Sequence, residues 1–61
     1  MKYSELKRLL KKYGCYFVVD CTNHEKWYSP ITDDYFYVPR HDSQEVKPAT
    51  LRNILKSAGI K

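Results

Sequence analysis

Residues 16–38, YFVVDCTNHEKWYSPITDDYFYV, decide the fold because they contain three short apolar runs separated by two polar turns. The aromatic and β-branched residues of these runs favour extended strands. The strands are predicted at residues 16–19, 25–28 and 35–38. The turn segments, 20–23 and 29–34, are rich in Asp, Asn, Ser, Thr and Pro, which are typical turn residues. Because tight turns join strands in antiparallel fashion, the stretch predicts a three-stranded antiparallel meander.

A helix is predicted on each side of the sheet region. Apolar residues recur at helical spacing in both segments: Leu6, Leu9, Leu10 and Tyr13 in the first, and Leu51, Ile54, Leu55 and Ala58 in the second. Helix 1 is predicted at about 5–13, with Ser4 as its N-cap and Gly14 just past its end. Helix 2 is predicted at about 48–58, followed by Gly59.

The predicted fold is α+β, with the order α-β-β-β-α. Two amphipathic helices bury their apolar faces most simply by packing on one face of the sheet. Alternation along the strands assigns each side chain to a face. The side chains predicted to face the helices are Phe17, Val19, Trp27, Phe36 and Val38, and those predicted on the open face are Tyr16, Val18, Tyr28, Tyr35 and Tyr37.

The 61 residues allow one domain, 1–61, with a single small core and a site at the surface. The net charge is +4, and it is unevenly distributed, since segments 1–12 and 47–61 are basic and 13–46 is acidic. A basic chain favours polyanions such as nucleic acid. No stretch approaches the roughly 20 apolar residues of a membrane span. The sequence therefore predicts a soluble, cytoplasmic protein without a membrane partner.

The two cysteines are predicted to be free thiols. In one extended strand, Cys15 and Cys21 would lie about 20 Å apart, too far for a disulfide. A zinc site formed with His24 and His41 is the alternative, but the spacing C-x5-C-x2-H-x16-H fits no usual zinc pattern. We therefore expect neither a metal nor another cofactor.

The candidate functional residue is His24, which lies at a predicted turn between strands. Imidazole is the side chain that ordinarily titrates near neutral pH, so an exposed histidine in a basic protein is suited to proton transfer on RNA. Lys26, two residues along a strand, is expected to point to the same side and to hold a phosphate. The other groups predicted to contact RNA are Lys7, Arg8, Lys11, Arg40, His41 and Lys47. A solvated surface role is the alternative for each lysine and arginine. For His41 the alternatives are a second imidazole of the site or, with Arg40, a role in orienting the crossover.

Four short motifs in this chain resemble the HicA toxins of bacterial type II toxin–antitoxin systems. They are Met1–Leu6, Thr22-Asn23-His24, Val38-Pro39-Arg40-His41, and the closing segment 45–60. They follow the family's order and cover essentially the whole chain. Two departures are Cys21, where the family usually has glycine, and the acidic pair Asp33-Asp34, where a basic or glycine-containing turn is more common.

The resemblance implies a fold similar to a double-stranded-RNA-binding domain and a ribonuclease that cleaves mRNA without the ribosome. It implies that His24 is the catalytic residue and that a HicB antitoxin is the partner that covers it. Cleavage of this kind requires only a base for the RNA 2′-OH, an acid for the leaving oxygen and nearby cations. The alternatives are a non-catalytic RNA-binding module of the same shape and a protein-binding domain that uses the tyrosine face.

Overall fold

The computed structural model describes residues 1–60, which form two helices and three strands. The elements are α1 (Tyr3–Lys12), β1 (Tyr16–Asp20), β2 (His24–Ser29), β3 (Asp34–Pro39) and α2 (Pro48–Ala58). The strands form one antiparallel sheet in the order β1-β2-β3. One core joins both helices to the central and last strands, through Leu6, Leu10, Trp27, Phe36, Val38, Ile54 and Ala58. The predicted α-β-β-β-α order and α+β class are confirmed.

Helix α2 has the bounds that its sequence predicts. Pro48 is its first residue, where a missing N–H is tolerated. Gly59 ends the helix with φ at 78°, and the N–H of Ile60 donates to the carbonyl of Leu55 at 2.9 Å. This left-handed glycine followed by a buried apolar residue is the predicted helix ending.

Neither helix in residues 1–60 is long and apolar enough to cross a membrane.

Helix α1 begins two residues earlier than predicted, and the prediction of Ser4 as its N-cap is wrong. Lys2 is the N-cap, and its N–H donates to Oε1 of Glu5 at 3.0 Å. Tyr3 is the first helical residue because its ring is buried in the core and its N–H donates to the carbonyl of Gln44 at 3.0 Å. These tertiary contacts outweigh the local capping preference of serine.

Strand β1 differs most from the prediction, because Phe17 and Val19 do not enter the core. They are 44% and 49% exposed. Phe17 lies opposite buried Trp27, but β1 is an edge strand that the helices leave uncovered. The register shifts between Phe17 and Val19, and this bulge places Val19 opposite Lys26 on the open face. Trp27, Phe36 and Val38 are buried as predicted.

Candidate active site

His24 is exposed at the start of β2, where the loop 21–23 joins β1 to β2. The N–H of Cys21 donates to the carbonyl of His24 at 2.8 Å, which closes this loop. On the other side, His24 lies opposite Pro39 at the end of β3. Backbone pairing on both sides therefore fixes the position from which the imidazole projects.

Cys21 adopts an ordinary backbone conformation in this loop. Among the non-glycine residues that the structure describes, only Asp33 has a positive φ. A glycine at position 21 would therefore not be needed for a left-handed backbone in this loop. The side chain of Cys21 instead lines a shallow hollow together with His24 and Tyr37.

Arg40 braces the loop from the end of β3. Its Nη2 donates to the carbonyl of Cys21 at 2.9 Å and lies 2.9 Å from Oδ1 of Asp20. A planar guanidinium can serve two acceptors at once, which an ammonium does less well. Arg40 therefore links β1, the loop and β3 directly beside His24.

Lys26 lies on the same face of the sheet as His24, because the two are separated by one residue of a regular strand. It lies opposite Tyr37 on β3, and its Nζ is 4.4 Å from the ring centroid of Tyr35. We call the sheet surface away from the helices the open face; it carries His24, Lys26, Tyr28, Tyr35 and Tyr37.

Tyrosine rings continue the open face beyond Lys26. The ring centroids of Tyr16 and Tyr28 are 5.3 Å apart, and those of Tyr28 and Tyr35 are 5.4 Å apart. The hydroxyl of Tyr28 donates to Asp33, and this hydrogen bond raises the pKa of Tyr28 to about 12. The open face therefore carries tyrosines, as predicted. Its other end carries the imidazole of His24 and the ammonium of Lys26.

Lys7 lies away from the open face and is held by carboxylates. Its Nζ is 2.9 Å from Oε2 of Glu25 and also contacts Asp42, and the lysine side chain is only 12% exposed. Burial lowers the pKa of Lys7, but hydrogen bonds to Asp42 and Glu25 outweigh it and raise the pKa above its ordinary value. Glu25 also accepts from Nε1 of Trp27 at 3.0 Å. This cluster ties α1 to the sheet.

Lys7 is therefore occupied by structural ion pairs and is not among the proposed RNA contacts.

The residue that the sequence interpretation missed is Glu25, which joins Lys7 to Trp27. The available signal was that Glu25 and Trp27 share a strand face. The sequence did not indicate that a helix lysine would meet them there.

The remaining predicted RNA contacts lie in the helix layer or the crossover. Arg8 and Lys11 are exposed on α1, and Lys47 is the exposed N-cap of α2. His41 packs against the ring of Tyr3, with centroids 6.4 Å apart. The helices cover the face of the sheet opposite His24, whereas His41 follows Arg40 in the crossover.

Within residues 1–60, no group of three or more His, Cys, Asp or Glu side chains is arranged to hold a metal ion. Cys15 is buried and Cys21 is half-buried, and both are free thiols. The arrangement therefore gives no support to the alternative zinc site of Cys15, Cys21, His24 and His41. Asp20 at the end of β1 is paired with Arg40, and Glu25, next to His24 in the chain, is paired with Lys7.

Comparison with known protein families supports a bacterial toxin family. The family model described as the HicA toxin of bacterial toxin–antitoxin systems matches residues 3–60. The match covers all five elements and the loop that carries His24. Searches of curated proteins and of solved structures found no match.

Proposed function

The chain belongs to the HicA toxin family of bacterial toxin–antitoxin systems, and from this premise we propose that it is an mRNA-cleaving endoribonuclease with His24 as general acid and base. Family membership supports a nuclease type of activity and pairing with an antitoxin. We propose that residues 1–61 act as one toxin domain that cleaves mRNA without the ribosome.

The observation that carries the proposal is the placement of His24. It is exposed, fixed by backbone pairing on both sides, and carried by a loop that Arg40 braces. Lys26 lies on the same face one strand repeat away. An exposed proton-transfer group held rigidly beside a cation is what cleavage of a phosphodiester needs.

The reaction would use the 2′-OH of the RNA as nucleophile. His24 removes the 2′ proton as the 2′ oxygen attacks phosphorus, and the bond from phosphorus to the 5′ oxygen breaks. The imidazolium then returns the proton to the leaving 5′ oxygen. The products are a 2′,3′-cyclic phosphate and a 5′-hydroxyl, and Lys26 stabilises the negative charge on the phosphoryl oxygens. The steps need no metal ion, since side chains supply the base, the acid and the cation.

The remaining basic groups are assigned two different roles. Arg40 is proposed to position the loop and to present its remaining donors to the RNA backbone. Arg8, Lys11 and Lys47, which lie in or next to the helices, and His41 in the crossover are proposed to attract RNA at longer range. Long-range attraction of this kind raises encounter rates and weakens with salt.

The proposed partner is a HicB-type antitoxin. To inhibit cleavage it must keep RNA from His24, so the open face is the surface it would cover. This assignment predicts that His24→Ala, which removes one exposed ring, leaves antitoxin binding largely intact while removing toxicity.

The experiment that tests the function uses two versions of one labelled RNA. In the second version, the nucleotide on the 5′ side of the mapped cleavage site carries a 2′-deoxy sugar. The proposed mechanism requires cleavage of the first and none of the second at that position. Cleavage of both would contradict 2′-OH attack. Salt-dependent binding of both without any product would instead indicate a non-catalytic RNA-binding module.

A further inference from the structure

The open face contains a second feature beside His24, which the reaction described above does not use. Cys21, His24 and Tyr37 line a shallow hollow of about 350 Å³, and this lining is mainly apolar. A phosphate does not favour an apolar wall, whereas the flat face of a nucleobase does. The hollow directly adjoins the imidazole that is proposed to transfer the proton.

Tyr37 is well placed to stack on a base. Tyr37 is 56% exposed, and it projects from β3 opposite Lys26. The neighbouring ring, Tyr35, is 52% exposed and has the ammonium of Lys26 at 4.4 Å from its centroid. Aromatic rings alternating with a cation on a sheet surface are the arrangement by which sheets bind single-stranded nucleic acid.

The charges on this face also fit a single strand. Lys26 is the cation of this face, with its Nζ over the ring of Tyr35, and Asp20 at the end of β1 is paired with Arg40. Asp33 lies at the far end, beyond Tyr28, where it accepts the tyrosine hydroxyl. A single nucleic-acid strand that starts at His24 would therefore pass the imidazole, the ammonium of Lys26 and the tyrosine rings before it meets the carboxylate of Asp33.

We propose that the open face is a single-stranded RNA subsite, in which the hollow between Cys21 and Tyr37 seats the base next to the scissile phosphate. Tyr37 stacks on that base, Lys26 contacts the adjoining phosphate, and Tyr35 supports the following base. This inference rests on the proposed function only in placing the scissile phosphate at His24. It assigns the substrate class as unpaired RNA, because a base within a duplex cannot stack on a protein ring.

The test measures binding rather than cleavage, so it can fail independently of the proposed function. The probe is a short, unstructured, fluorescently labelled 2′-deoxy oligonucleotide, which presents bases but has no 2′-OH to react. Its matched probe has the same backbone with abasic sites in place of the bases. The parent protein is compared with Tyr37→Leu, Tyr37→Phe and Tyr13→Leu.

We expect Tyr37→Leu to bind the base-containing probe at least about fivefold more weakly than the parent, the lower end of what one stacked base contributes. Tyr37→Phe keeps the ring and should retain parental affinity. Tyr13→Leu is the matched control, since Tyr13 is 46% exposed but follows α1 rather than lying on the sheet. All variants should bind the abasic probe equally, because that interaction depends on phosphates alone.

Equal affinity of the parent and Tyr37→Leu for the base-containing probe would overturn the subsite. The same holds if Tyr37→Leu weakens binding of the two probes equally. If Tyr37→Leu impairs antitoxin binding but not probe binding, the face is a protein-binding surface and the RNA assignment is wrong. Circular dichroism and unfolding of each variant distinguish these results from loss of the fold.

Discussion

Arg40 donates a hydrogen bond from Nη2 to the carbonyl oxygen of Cys21 at 2.9 Å, so the end of β3 holds the loop that leads into His24. The same nitrogen lies 2.9 Å from a carboxylate oxygen of Asp20. This link explains how a short loop in a small protein can hold an exposed imidazole in one place. The position of His24 then depends on a residue that lies outside the loop.

Replacing Arg40 with alanine should slow RNA cleavage by about 10- to 100-fold, because small displacements of a proton-transfer group are costly. The maximal rate should fall more than the affinity for RNA. Arg40→Lys should restore part of the rate, since lysine offers one donor to the Cys21 carbonyl. A fall in affinity with an unchanged maximal rate would show that Arg40 only contacts RNA and does not position the loop.

Ser29 should contribute more to stability than any exposed serine. Its side chain is fully buried, and its Oγ donates to the carbonyl of Ala58 at 2.6 Å and accepts the N–H of Ile31 at 3.3 Å. Ser29→Ala leaves the buried carbonyl of Ala58 without this donor and should lower the free energy of unfolding by about 1–3 kcal/mol. Urea unfolding measures the difference.

Ser4→Ala is the matched control for that measurement. Ser4 is exposed inside the first turn of α1, and Lys2 is the N-cap. The substitution should change the free energy of unfolding by less than about 0.5 kcal/mol. A loss of about 1 kcal/mol would restore Ser4 as the N-cap and contradict the start of α1 at Tyr3.

Two phenylalanines on the helix side of the sheet should differ sharply when truncated. Phe36 is 4% exposed and Phe17 is 44% exposed. Phe36→Ala should lower the free energy of unfolding by about 3–5 kcal/mol, as a buried ring does. Phe17→Ala should cost about 1 kcal/mol or less, because half of its surface is already in water. Similar losses for both would mean that the helices cover β1.

These comparisons also show how far the sequence predicts the structure. Proline at the start of α2 and glycine after its end are local signals, and Pro48 and Gly59 mark that helix correctly. No local sequence signal reveals the bulge in β1. Phe17 and Val19 are two residues apart, and a regular strand would place both side chains on one face. The edge position of β1 likewise depends on where the helices pack.

The candidate site likewise has a part that local sequence patterns predict and a part that depends on tertiary packing. Its centre, His24 with Lys26 one strand repeat away, follows from local alternation along β2. The brace from Arg40 to Cys21 joins residues far apart in the chain, and so does the ion pair between Lys7 and Glu25. Sequence spacing assigned Lys7 and Arg40 to the same class of basic surface residues, whereas tertiary packing gives them different roles.

The hydrogen bond between Tyr28 and Asp33 predicts a loss of stability in alkali. It raises the pKa of Tyr28 from 10.0 to about 12. A raised pKa means that the folded state holds the proton more tightly, so the contribution is complete below pH 10 and disappears as the pH approaches 12. Tyr28→Phe lacks this contribution at every pH.

The parent should therefore exceed Tyr28→Phe in stability below pH 10, and the difference should shrink between pH 10 and 12. Unfolding by urea across this range measures the difference. A difference that stays constant up to pH 12 would show that Tyr28 and Asp33 are not coupled.

The central claim is that His24 transfers the proton, and one measurement tests it most directly. Parent, His24→Ala and His41→Ala are incubated with one labelled RNA in the presence of a chelator. His41 is the matched control, since it is the second histidine of the chain and packs against Tyr3 on the helix side. We predict that His24→Ala cleaves at least about 100-fold more slowly while His41→Ala stays within a few-fold of the parent. Equal cleavage by His24→Ala and the parent would contradict the assignment of the active site.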